Sequence, residues 1–407
     1  MRRPHLWSLL LVLFAMGLAN YSKWPISDLG VSASHIADNW SGTDRSSYAM
    51  WGLHRLQHGN WELWPANLWP PGMAATIYLL VKFFGDSLYT RASWLLSITL
   101  MISVVLFLTY RAARQANQSW KVFTIYLGLI IMFLDPFVNL WIFWPNQGAV
   151  MAEPKTMFFF LANVFLLCHA LEKRSWKSMI AAGLCAAGAA YMRSFFNIFA
   201  LCVFATILIL GLAEFLLKLK QSSAHSQTKV WQSRSLFVLS LFFIGSYEAA
   251  LATCHADPEL CQKINSDDKL KFDKEVCHQA AISTFLKYPL KWWRHKIKFL
   301  NYFWVGEPKN FAERVFFSGL SLALFFAYLA LISIRIFKDK MLTAEAIIIF
   351  AFSIAHVAVF TFFHFEHRYS LFLRVFSYLI IPMFLLSSSV LEFKKPSQND
   401  KPRCNES

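Results

Sequence analysis

Long apolar runs alternate with short polar connectors along most of the chain. The runs cover residues 92–110, 122–135, 154–171, 179–192, 195–217, 235–253, 315–337, 344–363 and 370–391. Most approach the roughly 20 residues needed to cross about 30 Å of hydrocarbon. They are apolar on every side rather than along one stripe, which predicts helices surrounded by lipid or by other helices. A further run within residues 1–20 follows Arg2 and Arg3. Together they predict an all-α polytopic membrane protein with about ten transmembrane helices. The runs at 122–135 and 179–192 are short, and tilt or local thinning of the bilayer accommodates them. Within the first run, Gly17-Leu18-Ala19 has the small-x-small form of a signal-peptide cleavage site. An uncleaved first span is the expectation in a polytopic chain, and either way residue 21 emerges outside.

Residues 39–71 break the pattern. They read NWSGTDRSSYAMWGLHRLQHGNWELWPANLWPP, polar and aromatic where their surroundings are greasy. Asp44, Tyr48, Trp51 and Arg55 fall at i, i+4, i+7 and i+11, so a helix here places them along one stripe. Ser41 and Thr43 are candidate caps for it. Trp61, Trp64 and Trp69 suit a segment at a bilayer surface. The apolar run that follows, from Gly72 to Phe84, is short for a crossing and opens after Pro70-Pro71, a good helix start. It is expected to be a surface or re-entrant helix of the same outer loop. That choice also leaves Arg111, Arg114 and Lys121 on the cytoplasmic side, as the positive-inside tendency requires.

Composition agrees with the pattern. Hydrophobic residues make up 57% of the 407 positions and charged residues only 15%, against about 25% charged in soluble domains. The formal net charge of +15 does not point to nucleic acid, because the basic residues sit in connectors between apolar runs rather than on one patch. Lys173, Arg174 and Lys177 come out inside, as do Lys218, Lys220, Lys229 and Arg234, then Arg335, Lys338 and Lys340. Both termini are therefore expected in the cytoplasm. A single transmembrane domain is expected over residues 1–391. It has a first outer loop at 21–91, a long outer loop at 254–314, and a disordered cytoplasmic tail at 392–407.

Candidate chemistry lies in the outer connectors. Asp44 heads the amphipathic stretch and is the leading carboxylate. Glu153 precedes Pro154 at the start of a span, where it complements the helix dipole or faces Asp44 across a shared cavity. Arg193, in YMRSFFN, either snorkels to the interface or holds an anionic group. Lys82 offers the same two readings. Arg368, in the connector HFEHRY, has the fork that suits phosphate oxygens, while His364, Glu366 and His367 beside it form a weak metal pattern. The stretch Lys287-Tyr-Pro-Leu-Lys-Trp-Trp-Arg reads as a basic, aromatic interfacial helix anchored at lipid headgroups. Of the seven cysteines, Cys168, Cys185 and Cys202 fall within spans as packing residues. Cys254, Cys261 and Cys277 fall in the long outer loop, where a disulfide or, with His255 and His278, a zinc cluster is open. No nucleotide-binding or nucleophile-elbow motif occurs, so an activated substrate would arrive on something other than a nucleotide.

Taken in order, these stretches resemble the GT-C superfamily of polytopic glycosyltransferases, which take a sugar from a polyprenyl phosphate. That superfamily includes protein mannosyltransferases, lipid A aminoarabinose transferases and oligosaccharyltransferase catalytic subunits. The first outer loop is similar in its acid (Asp44), Tyr48, the turn from Leu56 to Gly59, Pro70-Pro71 and Phe84-Gly85. MAEPKTMFFFLA around Glu153 resembles the second acidic site. AAYMRSFF around Arg193 resembles a Thr-Arg-Pro-type turn with Ser194 in place of Pro, and EHRYSLFLRVFSYLIIP resembles the last span. The resemblance implies an inverting transfer from a polyprenyl-phosphate sugar to a lipid, glycan or protein acceptor. Asp44 and Glu153 would be catalytic. Arg368, Arg193, Lys82 and Tyr48 would bind the donor phosphate. A divalent ion (Mg or Mn) on Asp44 and Glu153 is an open part of the implication, because this chain has Asp44-Arg45 where some relatives carry two adjacent acids. The setting it implies is a bacterial inner membrane with the site facing the periplasm, and no nucleic-acid partner.

Two other classes stand beside this reading. A transporter or flippase of lipid-linked sugars would need charges deep inside spans, and these spans are expected to be nearly free of charge. A membrane scaffold would need no carboxylate at all. The topology is directly testable. Single cysteines placed in residues 59–69 should react with impermeant thiol reagents on intact cells, and cysteines in 115–119 should not. The reverse pattern would invert the topology.

Overall fold

A computed structural model of the chain describes residues 30–39, 44–59, 72–115, 119–143, 151–173, 175–193, 196, 198–203, 205, 286–298, 311–339, 344–362 and 370–382. All regular structure among them is helical. The expected runs at 1–20 and 235–253, the part of the long loop that holds Cys254, Cys261 and Cys277, and the tail lie outside the described residues, as does Arg368.

The described residues between 30 and 85 fold as their pattern predicts. Helix α1 (Ala33–Asn39) leads to α2 (Asp44–His58) and α3 (Gly72–Phe84). The α3 bounds are those of the expected surface helix. Along α2, Tyr48 and Trp51 are buried and Arg55 half-buried, so the inferred stripe faces inward. Gly52 lets the two helices approach: a Cβ there would lie 2.9 Å from the Ala74 carbonyl oxygen and from Ile77. A small apolar cluster of Ile36, Tyr48, Met73, Ile77, Tyr89 and Ala152 joins the three helices to the rest of the molecule. Gly85 ends α3 with a positive φ of 82°, a conformation glycine adopts without strain.

Helix α4 (Tyr89–Gln115) and helix α5 (Ser119–Leu134) follow. The expected span at 122–135 proves to be one limb of a bent pair. The chain breaks at Asp135-Pro136 and resumes as α6 (Pro136–Val138) and a π turn (Asn139–Phe143), with the limbs 61° apart. What reads in sequence as the beginning of an outer loop is helical continuation. Pro136 lacks the N–H of a regular helix, so the break frees backbone groups. Side chains take them up: the Phe137 amide donates to Asp135 Oδ1 at 2.8 Å, and Asn139 Nδ2 donates to the Phe133 carbonyl at 2.9 Å.

Helices α7 (Glu153–Lys173) and α8 (Trp176–Met192) form a tight antiparallel hairpin. Ser175 caps α8, accepting from the Ser178 amide. Gly188 sits against the Phe159 ring, Asn163 Nδ2 donates to the Ala182 carbonyl at 2.7 Å, and His169 Nδ1 lies 3.0 Å from Ser178 Oγ. The contacts run in opposite chain order down the two helices, as a hairpin demands. Cys168 is buried and Cys185 and Cys202 half-buried, none of them in a disulfide.

The later elements are α9 (Pro289–Lys298), α10 (Phe311–Asp339), α11 (Ala344–Phe362), and α12 (Ser370–Val375) with a π turn (Phe376–Ile380). In helix α9 Leu290 and Ile297 are exposed, whereas Trp292 is fully buried in the protein. An aromatic cluster forms the main core: Phe160 of α7, Phe196, Phe352 of α11, and Phe372 and Phe376 of the last element. The Phe352 and Phe376 rings stack at 4.6 Å, and Phe196 meets Phe372 edge-on at 4.9 Å.

Two described helices are long and apolar enough to cross a membrane, Asp86–Tyr110 and Val315–Ile334, and the bent pair adds a third where it counts as one broken span rather than a re-entrant loop. The close crossing of α5 on the last element is sterically strict. A Cβ on Gly128 would lie 2.2 Å from the Tyr378 carbonyl oxygen. Gly128→Ala should therefore cost about 1–3 kcal/mol, read as a lowered unfolding midpoint in detergent. An unchanged midpoint would show that the helices do not cross there.

Candidate functional site

The α7–α8 hairpin brings together two residues that are 40 positions apart in sequence. Glu153 opens α7, and Arg193 closes α8 in an extended conformation, its amide donating to the Ala189 carbonyl at 2.8 Å. Because the helices are antiparallel, these ends meet. Arg193 Nη2 donates to Glu153 Oε1, and both side chains are almost fully buried. The local fields favour both: a carboxylate suits the positive N-terminus of α7 and a guanidinium the negative C-terminus of α8. Thr156 adds a hydroxyl bond to the Ala152 carbonyl at 2.7 Å. Lys155, also 1% exposed, lies one position past Pro154 with its Nζ 3.5 Å from the Met151 carbonyl.

Helix α3 packs against this corner. The N-terminus of α3 touches α8 two residues before Arg193, where a Cβ on Gly72 would lie 2.6 Å from the Tyr191 carbonyl oxygen. Ala152, the neighbour of Glu153, belongs to the same apolar cluster as Tyr48. Tyr48 is fully buried in that cluster, one helical turn beyond Asp44, which opens α2. The structure thus brings Glu153 and Arg193 into contact and links Tyr48 to them through the apolar cluster it shares with Ala152. It does not bring Lys82 there. Lys82 is exposed in the last turn of α3, at the opposite end of that helix from Gly72. The Asp44 side chain and the whole of Arg368 are outside the described residues.

A second buried ion pair was not singled out by the sequence. Asp135 at the break and Arg374 of α12 are both 0% exposed and bond at 2.9 Å. Arg374 also donates to Ser318 Oγ of α10, and its guanidinium lies 4.7 Å from the Phe137 ring centroid. The Tyr378 hydroxyl donates to the Phe317 carbonyl at 2.6 Å and approaches Asp135 Oδ2 at 3.1 Å. The signal was present, since an Asp before Pro is a natural cap and a lone Arg inside an apolar run must find a partner. The expectation of nearly charge-free spans therefore fails at Lys155 and Arg374. These charges are held inside the bundle, and Arg374 is paired across 239 positions of sequence.

Among the described residues no three His, Cys, Asp or Glu side chains converge on a point where a metal ion would sit. The donor set at Glu153 is one carboxylate bonded to Arg193, and a cationic partner opposes rather than recruits a divalent ion. The implied Mg or Mn site would draw on Asp44 as well as Glu153, and the Asp44 side chain lies outside the described residues. Comparison of the chain with known protein families, with curated proteins and with solved structures found no match.

The Asp135–Arg374 pair has a measurable signature. Arg374→Met alone strands a buried carboxylate and should cost about 3–5 kcal/mol. Asp135→Asn combined with Arg374→Met removes both charges and keeps the cap, so it should recover most of that loss in thermal unfolding. A double variant no more stable than the single one would show that the pair is not coupled.

Proposed function

We propose that this protein is an integral-membrane glycosyltransferase of GT-C type that moves a sugar from a polyprenyl phosphate to an acceptor on the non-cytoplasmic face. In this reading the chain has about ten spans, both termini lie in the cytoplasm, and the membrane is a bacterial inner membrane. One observation carries it. Glu153 and Arg193, both inferred from sequence as site residues, meet as a buried pair, and Ala152 beside Glu153 shares an apolar cluster with Tyr48 of the helix that Asp44 opens.

The chemistry follows from those side chains. The acceptor hydroxyl attacks the anomeric carbon opposite the bond to phosphate. Asp44 takes the acceptor proton as the new bond forms. The bond from carbon to phosphate oxygen breaks, its electron pair stays on the oxygen, and the anomeric centre inverts. Charge grows on the leaving phosphate, where Arg193 and Arg368 supply bidentate donors that strengthen as it develops. Glu153 holds the Arg193 fork in place through their ion pair. Exclusion of water raises the strength of each of these interactions.

The transporter alternative has the Asp135–Arg374 pair in its favour, since charges inside spans often mark a pathway. That pair is engaged with Ser318 as well as with one another. It locks helices together rather than lining a route.

Purified protein, given a small panel of polyprenyl-phosphate sugars and membrane extract as acceptor, should transfer sugar. Asp44→Asn should lower that turnover about a hundredfold or more while leaving the amount of folded protein unchanged. Equal turnover in parent and variant would remove Asp44 from the site. A parent that moves lipid-linked sugar across liposomes without transferring it would replace the transferase reading with the flippase.

A further inference from the structure

The far end of the outer-loop helices carries a group of residues that the proposed reaction does not use. Two cations lie near the Tyr78 ring of α3. Lys82 Nζ donates to the Tyr78 hydroxyl at 3.3 Å and lies 5.6 Å from its ring centroid, and the Arg55 guanidinium of α2 lies 6.0 Å from the same centroid. Lys82 is exposed, and Arg55 and Tyr78 are half-buried. The acid four positions on, Asp86, is engaged elsewhere. It accepts from the Ser34 amide at 3.1 Å and from the Ser34 hydroxyl, holding the start of α1.

An apolar flank borders this cationic group. Leu79 and Phe83 follow Tyr78 and Lys82 by one position each along α3, so they form a neighbouring stripe of the same helix. Leu79 is 48% and Phe83 75% exposed, with Phe84 at 54% beside them. Positive charge and a phenol next to bare hydrocarbon match a ligand with an anionic head and an apolar tail.

We propose that Arg55, Tyr78 and Lys82 form a binding site for the phosphate headgroup of an anionic glycerophospholipid, with Leu79 and Phe83 against its acyl chains. The site is separate from the reacting corner. Lys82 lies ten positions beyond Gly72, roughly 15 Å along the helix axis, while Gly72 adjoins the residues before Arg193. A phosphate held at Lys82 is too far from that corner to be the one whose bond breaks. Its role is to fix the outer-loop helices on the bilayer surface, so the site stands whether or not the protein transfers a sugar.

The test uses the full chain in nanodiscs of phosphatidylcholine with or without phosphatidylglycerol, and native mass spectrometry to count retained lipid. The parent should retain phosphatidylglycerol in preference to phosphatidylcholine. Arg55→Gln and Lys82→Gln should each weaken that retention about fivefold, and Lys82→Arg should preserve it. Both cations sit in the last turn of their helices, and circular dichroism checks that the helical content is kept. Retention by the double Gln variant equal to the parent's would overturn the site. A parent that binds farnesyl phosphate tenfold more tightly than phosphatidylglycerol would overturn the assigned occupant.

Discussion

Charge removed from water inside an apolar bundle is tolerated only where an opposite charge meets it in good geometry, and two such meetings organise this molecule. Glu153 with Arg193 ties the mouth of the α7–α8 hairpin. Asp135 with Arg374 ties the bent helix to the last element, and Ser318 brings α10 into the same knot. Apolar packing alone would let these helices slide, because dispersion forces are weakly directional. The ion pairs set the register. A guanidinium placed one turn away would leave a carboxylate stranded at a cost that the bundle could not offset.

The same constraint explains the irregular backbone. A helix that breaks in an apolar setting must satisfy every freed amide and carbonyl from within. Asp135 and Asn139 do so at the break, and this makes room for a 61° turn between the limbs. The turn aims Asp135 at the last element, where Arg374 and Tyr378 approach it. Gly128 permits the close crossing that brings the Tyr378 backbone down onto α5. Break, glycine and ion pair are therefore one device spread over three parts of the chain.

What the sequence disclosed follows from the range of each interaction. Periodicity is local, so α2 with its inward stripe and α3 with its bounds were legible from residues 39–84. Helix type was legible in the apolar runs for the same reason. The short run at 122–135 was puzzling because its continuation lay beyond a proline, in residues that read as loop. Glu153 and Arg193 were each legible as chemically unusual. Their pairing was not, since it depends on a hairpin whose ends are 40 positions apart. Arg374 was the hardest to read: an isolated cation in an apolar run has no local sign of its partner, which lies 239 positions away. Lys82 was legible as a cation near a helix end, but its distance from Arg193 required the helix to be placed.

The two ion pairs differ in a way that bears on function. Asp135 is held by backbone amides, Arg374 and Tyr378, and lies within the packed helices, so its geometry is fixed from several sides. Glu153 and Arg193 sit instead at helix ends, where the first residue of α3 packs against the end of α8. A guanidinium at such a boundary can exchange part of its bonding to a carboxylate for a phosphate oxygen, because both acceptors fit the same fork. Arg374, enclosed by its own helix, α6 and α10, has no such exchange open to it without unpacking the core. If phosphate chemistry occurs in this molecule, the boundary pair is therefore the one suited to it, and the interior pair is the frame that keeps the boundary in place.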